Sequence, residues 1–137
     1  YLLVSEDGAN LLMRTYPIAF PITGKSWVNN HAHILKFHDL TSQKFIEYYL
    51  NSISLGPYVS GMAQPKLNQK MLNSIPVPFP DIIEQKSTVD LLDQLSTDLK
   101  KIETVYQQKL TTLKELKQSL LQKAFAGELT SDMRDVA

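Results

Sequence analysis

From Asp81 to Ala126 the chain contains neither proline nor glycine, although all seven prolines and four of the five glycines lie before that point. Proline removes a helical hydrogen bond and clashes with the preceding turn, so a stretch of this length without one permits a single uninterrupted helix. Written as heptads with Leu92 at position a, the a and d sites are Leu92, Leu95, Leu99, Ile102, Tyr106, Lys109, Leu113, Leu116, Leu120 and Lys123; eight of these ten are apolar. The eight apolar positions predict a coiled-coil seam. A helix of about 45 residues would extend roughly 65 to 70 Å, far beyond the roughly 13 to 14 Å radius of gyration of a compact domain of this length. Such a helix calls for a partner helix, the alternative being that it lies back across its own domain. Lys123 in the last turn and Gly127 at the C′ position mark its stop.

The remaining composition sets limits on function. The chain has 137 residues, 43% hydrophobic and 20% charged, the balance of one globular domain. No apolar run approaches the roughly 18 to 20 residues of a membrane span, no basic segment followed by an apolar one opens the chain, and the expected compartment is the cytoplasm. The absence of cysteine excludes disulfides, thiolate zinc sites and cysteine nucleophiles. Starting at Tyr1 within an apolar run, the chain is read as a fragment. Net charge is zero, and no strong basic stripe is present; if nucleic acid is a partner, this chain alone should hold it weakly, since Lys and Arg neutralising phosphates supply most of such affinity.

The helix begins at "PVPFPDIIEQKSTV", residues 76–89. Pro80, Asp81, Glu84 and Lys86 follow the order of the PD…(D/E)xK metal site of many nucleases. Those sites project their two halves from neighbouring strands, normally separated by a hairpin or more, whereas here two residues intervene. The three-residue step from Asp81 to Glu84 matches a capping box, with Asp81 accepting from first-turn amides and Glu84 reaching back. Both carboxylates also favour the positive end of the helix dipole.

Before Pro80, "YLLV", "NLLM", "IAFPI" and "SWVNNHAHILKF" are broken by Asp7-Gly8, Pro17, Pro21 and Gly24 and are expected to be short strands and turns. In "TSQKFIEYYLNSI", residues 41–53, apolar side chains fall at helical spacing behind a Thr41 or Ser42 cap. The expected fold class is α+β, a small mixed domain followed by one long helix.

"GMAQPKLNQKMLNSIPVPFPDIIEQKSTVDLLDQL", residues 61–95, and "LKELKQSLLQKAFAGELT", residues 113–130, resemble the end of a target-recognition domain and its following helix in the specificity (S) subunits of type I restriction-modification enzymes. "GKSWVNNHAHIL", residues 24–35, is similar to a stretch within many of those recognition domains. The most specific parts are the entry carried by Pro78, Pro80, Glu84 and Gln85 and the exit "LLQKAFAGELT". The resemblance implies a subunit without catalysis or cofactor of its own. In that family two recognition domains each read half of a split double-stranded DNA target. Two long helices pack antiparallel between them as a ruler and dock methyltransferase (M) subunits, which carry S-adenosylmethionine and connect to the restriction (R) subunit. This chain departs from the pattern: it has one helix, and its first part is about 50 to 60 residues short of a recognition domain. Homodimerisation would restore the second helix.

The implied division is a partial recognition domain over 1–80, a spacer and dimerisation helix over 81–126 and a tail over 127–137. Base reading needs bidentate or donor-acceptor side chains at a groove edge. The candidates are Lys25, Asn29, Asn30 and His31 in "GKSWVNNH", and Tyr58, Ser60, Gln64 and Lys66 in "PYVSGMAQPK". Asn-Asn is also a common turn former, and the alternative place for Trp27 and His33 is the core. His31, His33 and His38 lack the companions of a zinc site, and no P-loop, dinucleotide turn or methyltransferase motif occurs. The alternative function is a coiled-coil interaction module, or a truncated remnant, that binds no DNA.

Overall fold

The computed structural model describes residues 1–61 and 63–129, and the fold is α+β. Thr130 of the exit motif and the rest of the expected tail lie outside the described residues. Two compact units divide after Leu92.

The first unit is built on a three-stranded antiparallel sheet with β1 (Leu2–Ser5) between β2 (Ala19–Pro21) and β3 (Ala32–Leu35). Leu3 faces Phe20 on one side and Ile34 on the other. Strand alternation therefore turns Leu2, Val4 and Ala19 to the opposite face, where all three are fully buried. Against them pack Leu11, Ile18, Ile46, Leu50, Leu55, Leu67, Leu72 and Ile75.

"NLLM", expected as extended, is instead a one-turn helix, α1 (Asn10–Met13). Gly8 at φ +104° redirects the chain after β1. The Asn10 carboxamide then accepts from the amides of Thr15 and Tyr16 at 3.0 and 3.2 Å and donates to the Tyr16 carbonyl at 2.9 Å, which fixes the return toward β2. These side-chain bonds compete with extended structure in a way that apolar periodicity does not register.

The middle helix, α2 (Leu40–Ser52), starts earlier than the Thr41 or Ser42 cap expected for it: Asp39 is the cap, accepting from the Ser42 amide at 2.7 Å. That bond holds the Asp39 carboxyl below its usual pKa. Near the other end of α2, Asn51 accepts from Ile18 and Ala19 amides at 2.9 and 3.1 Å and donates to the Ala19 carbonyl at 2.8 Å, tying the helix to β2. Arg14, at φ +55°, donates to the Leu50 carbonyl at 2.6 Å. A 3₁₀ turn (Gly56–Tyr58) and α3 (Gln69–Asn73), which the sequence reading omits, complete this part.

The long helix, α4, spans Ile82–Phe125. It closes in a Schellman motif: Gly127, at φ +77°, donates to the Ala124 carbonyl and Glu128 to that of Lys123, at 3.1 and 3.0 Å. No helix among the described residues is long and apolar enough to cross a membrane.

Candidate nucleic-acid interface and pairing helix

At the end of β1 the backbone gathers three separate stretches. The Glu6 amide donates to the His31 carbonyl at 2.9 Å, the Leu67 amide to the Glu6 carbonyl at 2.7 Å, and the Gly8 amide to the Pro65 carbonyl at 3.0 Å. Ser60 and Lys66 exchange backbone bonds at 2.9 and 2.7 Å around a tight reversal. Gly61 has φ +86° there, and a Cβ on it would sit 2.4 Å from the Gln64 carbonyl oxygen.

This arrangement brings His31, Ser60 and Lys66 together. Asn29 supports them, accepting from the His31 amide at 3.1 Å, and Gln64 contributes backbone to the reversal. Lys25 and Asn30 are exposed on the segment between β2 and β3, whereas Tyr58 packs against the core and is only partly exposed. His33 is also partly buried, donating from Nε2 to the Leu67 carbonyl at 2.7 Å. Trp27, placed in the core as one reading of the sequence, is 97% exposed.

Two carboxylates missed in the sequence reading stand among these groups. His31 Nδ1 lies 2.6 Å from Asp7 Oδ2, and Lys66 Nζ lies 3.1 Å from Glu6 Oε1. The Lys66 charge is thus partly balanced in place, and the Asp7 carboxylate occupies one ring nitrogen of His31. The signal available was the dipeptide Glu6-Asp7 directly after an apolar strand, where an acid can pair with a base on a neighbouring stretch. His31 and His33 have these separate partners, and no group of three or more potential metal ligands occurs among the described residues.

At the start of α4, Asp81 Oδ1 accepts from the amides of Ile83 and Glu84, both at 2.9 Å. The reciprocal arm differs from the expected box. Among the described residues the Asp81 amide makes no hydrogen bond to the Glu84 carboxylate; instead Gln85, 2% exposed, donates from Nε2 to the Pro80 carbonyl at 2.7 Å. Gln85 is directed inward one residue later on the helix, while Glu84 faces solvent. Lys86 pairs with Asp90 one turn on, and no group of three or more potential metal ligands forms here among the described residues.

Leu92 is partly buried and, with Thr88, lines a groove of about 320 Å³ against Phe45, Tyr48, Tyr49 and Ser52 of α2. The rest of the seam, Leu95, Leu99, Ile102, Tyr106, Leu113, Leu116 and Leu120, is between 47% and 65% exposed. Val105, Leu110 and Leu121 are exposed in the same range and broaden the stripe where the heptad places Lys109 and Lys123 in the seam. Lys109 lies 5.5 Å from the Tyr106 ring centroid, a cation-π distance.

The family model described as the type I restriction modification DNA specificity domain matches residues 10–115. The chain belongs to this family. A Haemophilus influenzae protein named as a type I restriction enzyme specificity subunit is 32% identical over 96 residues, covering 70% of this chain and 24% of that protein. The Escherichia coli EcoDI specificity subunit is 44% identical over 70 residues, 51% of this chain and 16% of its own length. The EcoBI subunit of the same species is 40% identical over 73 residues, 53% and 15% respectively. The chain therefore spans less than a quarter of the length of these specificity subunits. No solved structure matches it. The specificity-domain match takes in β2, β3, the Ser60–Lys66 reversal and most of α4, and it stops short of the exit motif "LLQKAFAGELT".

Proposed function

We propose that the chain reads half of a split double-stranded DNA target for a type I restriction-modification system. Residues 1–80 act as a partial recognition domain, 81–126 as spacer and pairing helix, and 127–137 as a tail. It acts in the cytoplasm without catalysis or a cofactor of its own; S-adenosylmethionine belongs to the methyltransferase subunits docked on the helix, and the restriction subunit joins through them. The observation that carries this reading is the family match across both the domain and α4. Lys25, Asn29, Asn30, His31, Tyr58, Ser60, Gln64 and Lys66 are the DNA-facing set, of which Lys25, Asn29 and Asn30 combine exposure with the donor and acceptor chemistry that base edges require.

The exposed seam supports pairing with a second copy. Charge along α4 supports an antiparallel one: residues 81–98 hold Asp81, Glu84, Asp90, Asp93 and Asp98 against Lys86. Residues 99–126 hold Lys100, Lys101, Lys109, Lys114, Lys117 and Lys123 against Glu103 and Glu115. Side by side in opposite directions, the acidic stretch of each copy meets the basic stretch of the other; in the same direction like charges face each other.

Light scattering of the chain and of its Leu99→Asp and Leu113→Asp variants tests the pairing. A dimer of about twice 15.5 kDa that both variants dissociate is the expected result; a folded monomer removes the geometric basis for two half-sites. The second reading, a protein-interaction module or remnant without DNA binding, is favoured by the Glu6–Lys66 ion pair, which takes positive charge away from phosphate, and by the Asp7 carboxylate, which occupies His31 Nδ1. Anisotropy of a labelled duplex pool at low salt separates the two.

A further inference from the structure

Trp27 is more exposed than any other large apolar side chain among the described residues. Single apolar residues are scattered over most protein surfaces, so exposure alone decides nothing. The surroundings of this indole do. Lys25 stands two residues before it and Asn29 and Asn30 follow, while no acidic residue occurs from Ile22 to Asn30. The acids at the foot of the segment, Glu6 and Asp7, are engaged by Lys66 and His31.

The segment is also clamped at both ends to the residues that flank β1. The Ile22 amide donates to the Tyr1 carbonyl at 3.0 Å, and the Glu6 amide donates to the His31 carbonyl at 2.9 Å. Gly24 at φ +75° and the Asn29–His31 bond fix the turns inside those clamps. An aromatic face carried on an anchored loop, beside a cation and two carboxamides and apart from free acid, suits a polyanion with stackable rings. A protein groove could take up the indole and the carboxamides equally well, but the acid-free run carrying Lys25 favours a polyanion.

We propose that Trp27 is a stacking wedge for duplex DNA, its indole entering at a base step while Lys25 meets a phosphate and Asn29 and Asn30 face base edges. This rests on the DNA-reading function proposed above. It adds an affinity-determining contact that carries no hydrogen-bond information, at the cost of partly unstacking the step it enters.

Trp27 is the one tryptophan in the chain, so indole emission reports this side chain alone. The experiment titrates the 137-residue chain at low salt with random-sequence duplex oligonucleotides. It follows Trp27 emission and acrylamide quenching alongside anisotropy of the labelled duplex. The expected result is red-shifted, readily quenched emission in the free chain, then protection from acrylamide in step with DNA binding. Trp27→Ala should keep the circular dichroism and melting of the parent while weakening binding roughly 5-fold or more, the low end of the single-strand stacking range because a duplex step must first be unstacked. Trp27→Phe should recover most of it. DNA binding with unchanged Trp27 quenching and an unaffected Trp27→Ala variant overturns the wedge and leaves DNA reading intact. Shielded emission in the free chain, or protection by methyltransferase subunits and not by DNA, also overturns it. If the parent chain binds no duplex at low salt, DNA reading by this chain fails, and the wedge fails with it.

Discussion

The Gln85 side chain and the Pro80 carbonyl are joined at 2.7 Å inside the protein, five residues apart across the start of α4. Proline at 76, 78 and 80 supplies no amide to this strap, so side chains must fix its approach to the helix. Gln85→Ala therefore removes the internal partner of a carbonyl and opens a void, and is expected to lower stability by about 1–3 kcal/mol in urea unfolding. An unchanged midpoint would mean that the Phe45–Phe79 edge contact and the Tyr49 hydroxyl on the Pro76 carbonyl hold the strap without Gln85.

Asp81 works on the other side of the same junction. Asp81→Ala leaves two first-turn amides without their acceptor and should cost about 0.5–2 kcal/mol, whereas Asp81→Asn, which keeps an acceptor oxygen, should cost little. Glu84→Ala should cost less than Asp81→Ala, since Glu84 offers only dipole stabilisation there. Equal losses for the two alanine variants would restore the reciprocal capping box. Mg²⁺-dependent nicking of DNA abolished by Asp81→Ala would overturn the capping role altogether.

The junction also shows what the sequence could and could not convey. α4 was legible because its evidence is cumulative, 46 residues without a breaker and a repeating apolar face. α2 was legible in type but not in its first residue, because Asp39, Thr41 and Ser42 are all competent caps and the sequence alone does not rank them; Asp39 is the one used. α1 was misread because its conformation is set by the Asn10 carboxamide and not by apolar spacing. At the candidate interface, the segments containing His31, Ser60 and Lys66 could be named one by one. Their meeting through Glu6 and Asp7 depends on pairings over 24 residues or more, which no local pattern encodes.

The Asp39 cap carries a pH dependence with a definite sign. Hydrogen bonds from the Ser42 amide and hydroxyl lower its folded-state pKa, so its contribution is complete above the unfolded carboxylate value, near 4. It is lost as pH falls through the lower folded value. Unfolding midpoints of the parent measured from pH 6 downward should fall on the acid side. Asp39→Asn should flatten that part of the curve while leaving the neutral-pH midpoint little changed; a parallel acid limb in the variant would assign the dependence to other carboxylates.

Gly61 offers the sharpest test of how Ser60 and Lys66 are held. Gly24 has a similar positive φ, +75° against +86°, but a Cβ on Gly24 meets nothing within 4 Å. Gly24→Ala thus measures the backbone strain of a left-handed residue, about 1–2 kcal/mol. Gly61→Ala adds a collision with the Gln64 carbonyl that backbone must move to relieve. Its destabilisation should exceed that of Gly24→Ala by at least about 1 kcal/mol, with faster hydrogen exchange at the Ser60 and Lys66 amides. Because the reversal positions Ser60 and Lys66 of the proposed DNA-facing set, duplex affinity should fall in Gly61→Ala beyond what the melting shift accounts for. Equal destabilisation of the two variants would mean that the reversal opens without cost, and that Ser60 and Lys66 are not held in register by Gly61.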